Sequence, residues 1–310
     1  PASSARAPAR SPQHPCPARD QSTATTTATD RRYATLPGGT NMVMALDLAQ
    51  LRADPHFAAF YEMTLREWFG DFLGELTTEC HVDPIRSVDH ILVGGLGPTF
   101  LYRSAVVTGL DRAQVTTCLS GVAAKARADG VSLHADPFDG GIELRAPDEP
   151  PLRLGFLDDR TVVIVREQGR SAERDVVTRT VRARAGDGAT ADAALMAAVD
   201  HAAAEGSAWL VLGGATVAAY GLPDGTSIRY VFRFGEHIQG RVVATGPKVP
   251  AGADARLAAE VERRLRVVAA DPEMPIAVRR EKIPGGVAVA FTLPPVVLGS
   301  LIDIAGRGGL

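Results

Sequence analysis

Three short strings, each ending in glycine, occur twice in this chain and in the same order. Ile91-Leu-Val-Gly-Gly95 is echoed by Trp209-Leu-Val-Leu-Gly-Gly214, and Val106-Val-Thr-Gly109 by Val242-Val-Ala-Thr-Gly246. Phe138-Asp-Gly-Gly141 is echoed by Ile283-Pro-Gly-Gly286. Apolar, β-branched runs of this length closed by glycine are strands running into turns. The separations are 119, 137 and 145 residues (Gly95 to Gly214, Gly109 to Gly246, Gly141 to Gly286), so the two copies differ by insertions. Recurrence in one order predicts a divergent duplication. The fold class is therefore α+β: two tandem lobes, each a mainly antiparallel sheet with helices packed on one face. A length of 310 residues suits two domains.

Helical segments fall between the strand strings. Asp54-Pro55 opens one, with Asp as cap and Pro in the first turn. Phe57, Tyr61, Leu65, Trp68, Phe72 and Leu76 then recur at spacings of three and four, a single apolar face read as core. Asp111 opens a second helix that Gly130 closes, with Val115, Leu119, Val122 and Ala126 inward. A third runs from Asp192 to Glu205 on Leu195, Val199 and Ala202. A fourth runs from Asp254 to Ala270 on Leu257, Val261, Leu265 and Val268, with Glu260–Arg264 and Glu262–Arg266 paired on its outer side. Further strands are expected at Met42–Leu48, Ile142–Arg145 and Ile228–Phe234. Leu152–Leu157 and Thr161–Val165 form a hairpin about Asp158-Asp159.

Composition sets the boundaries. Residues 1–35 are a Pro/Ala/Ser/Thr-rich tail that buries too little apolar surface to order itself. Its start at Pro1 reads as a processed or truncated end. Lobe 1 covers 36–166 and lobe 2 covers 191–310. Between them, 167–190 carries Arg170, Arg174, Arg179, Arg182 and Arg184 among acids and small residues, and reads as a linker or long exposed loop. The balance of 33 Lys+Arg against 36 Asp+Glu argues against a nucleic-acid partner, and no aromatic residue interleaves the arginine run. Residues 285–302 are uncharged, but Pro294-Pro295 splits them. A strand followed by a short helix is expected there, not a transmembrane span.

No residue set names a chemistry. None of the seven histidines stands at helical ligand spacing from another, and His81, His90 and His134 lie beside aspartates in expected turns. Cys118 with His81 or His134 is a conceivable dyad, but the cysteine sits mid-helix on an apolar face, unlike an activated thiolate. Gly94-Gly-Leu-Gly97 has neither dinucleotide nor P-loop spacing. Asp158-Asp159 is a solvated hairpin tip. No catalytic, cofactor-binding or metal-ligating residue is therefore assigned, and no cofactor is expected. Of the three cysteines, Cys16 lies in the tail as a free thiol. Cys80 and Cys118 are either two buried thiols or a staple worth about 3–4 kcal/mol in the chain-entropy model.

Taken together, "ALDL", a helix after "DP", a cysteine before "DP", a strand pair ending in "VVTG" and a helix carrying Cys118 resemble a group of proteins. These are uncharacterised secreted or lipoprotein-type envelope proteins of GC-rich Gram-negative bacteria, the myxobacteria especially. The resemblance spans roughly residues 40–305 and implies a periplasmic or extracellular location and the Cys80–Cys118 bridge. It transfers no catalytic residue, and Cys16 lacks a lipobox. The expectation is a non-enzymatic envelope binding or scaffolding protein, with a protein or small-molecule ligand and a tether permitting peripheral membrane association. One alternative is a hydrolase-type enzyme built from His81, His90, His134 and nearby aspartates. Another is a subunit of a larger envelope assembly that uses exposed sheet edges.

Overall fold

The computed structural model describes residues 30–66, 80–96, 101–167, 170–218, 222–223, 225–247, 249–250, 252–268 and 276–300. Its centre is one antiparallel pair. Strand β1 (Met42–Asp47) lies against β9 (Ala208–Leu212), with Met42 opposite Leu212 and Leu46 opposite Ala208. From β1 the chain meanders through β2 (His90–Leu96) and β3 (Leu101–Thr108). From β9 it meanders through β10 (Ser227–Arg233) and β11 (Ile238–Thr245). The third strand of each meander ends on one of the repeated strings, Val106–Gly109 or Val242–Gly246, and a long helix follows. The remaining strands are β4 (His134–Phe138), β5 (Gly141–Arg145), β6 (Leu152–Asp158), β7 (Thr161–Glu167), β8 (Arg170–Ser171), β12 (Ala277–Ile283) and β13 (Gly286–Leu293). Together they give one continuous sheet in the order β12-β13-β11-β10-β9-β1-β2-β3-β7-β6-β5-β4, with β8 beside β7.

The α+β class holds, but the helices do not sit on one face. Neighbouring residues of the central strands are both apolar and both buried, as in Val211-Leu212 and Val242-Val243, so the sheet needs cover on each side. One face carries α4 (Arg112–Ala128) at one end and α8 (Ala253–Val268) at the other. The segment from α2 (Leu48–Arg52) through a π-turn (Phe57–Tyr61) to α3 (Pro84–Ser87) also packs on this side. The opposite face carries α1 (Arg31–Ala34), α5 (Arg174–Val181) and α6 (Ala193–Glu205); the short α7 (Ala215–Ala218) follows β9.

Local signals worked where a cap met a periodic face. Asp111 accepts from the Gln114 amide at 2.8 Å, and Asp192 from the Leu195 amide at 2.9 Å. Leu195, Val199 and Ala202 are buried, as are Leu257, Val261 and Leu265, and both expected glutamate–arginine pairs on α8 form. On α4 the buried residues are Leu119 and Ala123. Phe57, Tyr61 and Leu65 are core; Trp68, Phe72 and Leu76 fall outside the described residues. No helix among the described residues is long and apolar enough to cross a membrane.

Three boundaries move. Nearly all of the expected tail (1–29) lies outside the described residues. Its last part does not: Asp30 caps α1, and Tyr33 and Ala34 are buried. The expected Arg-rich linker contains β8 and α5, and Val177 and Val181 of α5 enter the core. Asp136-Pro137, expected as a turn, lies within β4, an outer strand where a proline costs no ladder bond.

Candidate functional site

Alpha5 is seated on a glycine. A Cβ on Gly155 of β6 would meet Val177 and Val181 at 2.8 and 2.6 Å, so only glycine lets the helix lie this close. Its N-terminus is pinned by charge. Glu143 on β5 stands opposite Arg153 on β6 and takes its Nε at 2.5 Å, while Arg174 reaches the other carboxylate oxygen at 2.8 Å. Glu143 and Arg153 are both buried. The guanidinium of Arg174, then that of Arg153, holds the Glu143 carboxyl below its ordinary range against the opposing effect of burial. At its other end, Arg182 pairs with Asp139, and Arg31 donates to the Val181 carbonyl at 3.1 Å.

The chain leaving α5 then meets the stretch around Leu36. The Ala189 amide donates to the Leu36 carbonyl at 2.9 Å. Gly188 permits this approach in a left-handed conformation (φ 55°), where a Cβ would sit 2.1 Å from that carbonyl oxygen. Leu36, wholly buried, rests in turn on Gly94 of β2, whose missing side chain leaves it room.

Between these walls lies a cleft of about 330 Å³. Its floor is the end of β7 and one residue of β3, Arg103. Gly94 pairs with Ser104 and Gly95 with Tyr102, so Arg103 has no opposite number on β2. It is the extra residue of a β-bulge, a device that re-aims a side chain. In regular alternation it would face away from its neighbour Ser104; here it lines the cleft beside Val165, the residue opposite Ser104. Arg166, Arg179 and Arg182 also line it, together with Leu36, Val165 and Val176. Arg179 is held by Asp175 at 2.6 Å, Arg182 by Asp139, and Arg166 has a partner as well. The Arg103 side chain pairs with none of the described residues. Glu167 is exposed, and Asp187 accepts from the Arg184 amide at 2.8 Å.

Compared with known families, curated proteins and solved structures, the chain matches none. Its own geometry carries the reading. Cys80 and Cys118 are joined as a disulfide, with Cα atoms 5.0 Å apart, so Cys118 offers no thiolate to a dyad. The histidines do not converge. His90 opens β2 and His134 opens β4, five strand spacings apart, or about 24 Å. His81 stands before α3 at a left-handed φ of 53°. His56 pairs with Asp54 at 3.0 Å, and His14 lies outside the described residues. No group of three His, Cys, Asp or Glu side chains among the described residues is placed to hold a metal ion.

Sequence reasoning missed the cleft because two of its walls lay in segments read as tail and linker. One signal was present: Val177 and Val181 stand four apart inside the arginine run, the mark of one helical face.

A separate buried polar spot has a measurable consequence. His90 pairs across the ladders with Asp47 and Thr108, and its Nδ1 and the Thr108 hydroxyl are buried with no hydrogen-bond partner. Burial pushes the imidazole down to about 4, with Arg32 adding to the effect and Asp47 and Asp30 opposing it. The folded state therefore favours neutral His90. Its contribution is complete above the unfolded value of about 6.5 and is lost as pH falls through about 4. Melting temperature should decline across that window, and His90→Gln should flatten the decline. An unchanged profile in the variant would assign the titration elsewhere.

Proposed function

We propose that this chain is a non-enzymatic binding protein of the cell envelope, periplasmic or extracellular, whose ligand seat is the cleft beneath α5. The disulfide is the observation that carries the compartment, because such bonds persist in oxidising surroundings and are rare in the cytosol. A concave site with apolar walls and a few convergent polar groups is where a small ligand binds by default. The resemblance to secreted envelope proteins of GC-rich Gram-negative bacteria implies the same compartment.

The two halves are further read as divergent copies. The Val-Thr-Gly strings close equivalent third strands, and each Gly-Gly string turns a hairpin after a helix, β4–β5 or β12–β13. The first pair departs from that equivalence, since Ile91–Gly95 lies in a second strand and Trp209–Leu212 in a first. The halves join edge to edge through β1 and β9. The proposed seat is therefore within one half.

The test is fractionation of the source cells with a thiol alkylating agent present at lysis. The protein is expected in the envelope fraction with Cys80 and Cys118 unmodified until a reductant is added. Recovery in the cytosol with both thiols already alkylated would overturn the assignment.

A further inference from the structure

The geometry points to a small organic acid with an apolar body as the ligand of the cleft, its carboxylate or other oxyanion held by Arg103. The assignment deepens the reading of the cleft as the ligand seat and rests on it. Four arginines line the space, yet three are already held: Arg179 by Asp175, Arg182 by Asp139, and Arg166 by a partner of its own. Arg103 alone of the four is left without a partner among the described residues. It is half-buried. A planar fork of N–H donors in that state is best satisfied by a bidentate oxyanion.

The bulge is the second, independent sign. The register shift between Gly94 and Gly95 leaves Arg103 as the unpaired residue of the bulge, and Arg103 lines the cleft floor. A strand that gives up a ladder position at an unpaired arginine lining a cavity is built as a site is built. The rest of the lining sets the ligand's other end. Leu36, Val165 and Val176 are apolar, and about 330 Å³ suits a metabolite-sized molecule and not a polymer. With Arg179 and Arg182 already facing carboxylates and Glu167 and Asp187 also in the lining, the cleft accommodates one anionic group, not several.

The probes are octanoate, octyl phosphate and 1-octanol, titrated calorimetrically into the full chain below their aggregation limits. Saturable binding of octanoate, octyl phosphate or both, at least about tenfold tighter than octanol, is expected from one charge-assisted pair. Preference between the two acids tells whether a carboxylate or a phosphate is the natural head group. Arg103→Gln should abolish the tenfold margin without altering octanol binding, and Arg103→Lys should keep part of it. Should Arg103→Gln fail to fold, the wild-type margin and amide shifts at Leu36 and Gly188 on adding octanoate carry the test. Equal binding of acid and alcohol overturns the acid assignment while leaving the cleft as the ligand seat. No binding of any probe, or an undiminished margin in Arg103→Gln, overturns the inference. None of these results bears on the compartment, which the alkylation experiment decides.

Discussion

Glu143→Ala is expected to lower the unfolding free energy by about 3–5 kcal/mol, because it strands a buried cation. Arg153 is 9% exposed at its side chain and Glu143 4%, so neither has water to fall back on. Once the carboxylate is gone, Arg153 keeps only the Ala172 carbonyl at 2.9 Å and the mostly exposed Glu173 at 3.1 Å. The contribution of Arg174 is small, since it is 43% exposed and screened by solvent. The measurement is the urea midpoint at pH 7. A double variant, Glu143→Leu with Arg153→Met, should recover most of the loss, since replacing both partners leaves no unpaired charge. The pH profile has a definite sign. The Glu143 carboxyl titrates below its unfolded value of about 4.3, so its contribution is present above that pH and fades as pH falls through the lower folded value. A loss under 1 kcal/mol in Glu143→Ala would mean that the triad does not anchor α5.

Replacing both Cys80 and Cys118 by serine should cost about 3–4 kcal/mol, the chain-entropy estimate for a sequence separation of 38. Alpha4 has little else to hold it. Only Leu119 and Ala123 of its seventeen residues are buried, and it packs on the sheet mainly against β4 and β5. The loss should therefore appear first as faster exchange in α4 and only then as a lower global midpoint. The same shift should follow reduction of the wild-type protein, and reduction should leave the double variant unchanged. A double variant as stable as the wild type would show that packing alone fixes α4, and would deprive the bridge of a structural role.

How much of this was legible without coordinates depended on where the determining contacts lay. Asp111 and Asp192 cap helices three residues away, and the periodic faces of α6 and α8 repeat within one helix, so both could be read locally. Alpha5 could not. Its two buried valines sit among arginines, and the feature that lets it dock, Gly155, is on another strand. Charge density made the segment read as a linker; the counter-charges that cancel it, Glu143 and Asp139, stand on or beside β5. The bulge at Arg103 is a property of two strands in register and has no signature in one. The doubly covered sheet was half visible, since adjacent buried residues such as Val242-Val243 demand cover on each face. The expectation of one-sided helices gave too little weight to that run.

The cleft, its arginine floor and the proposed ligand seat all depend on residues 174–191 being a folded wall and not a tether. Hydrogen exchange of the unliganded protein, resolved to α5, measures this directly. The amides of Val177 to Val181 should exchange as slowly as those of β6 and β7, on which the helix lies. Exchange of this stretch at the rate of an unstructured peptide, while β6 and β7 stay protected, would contradict the account.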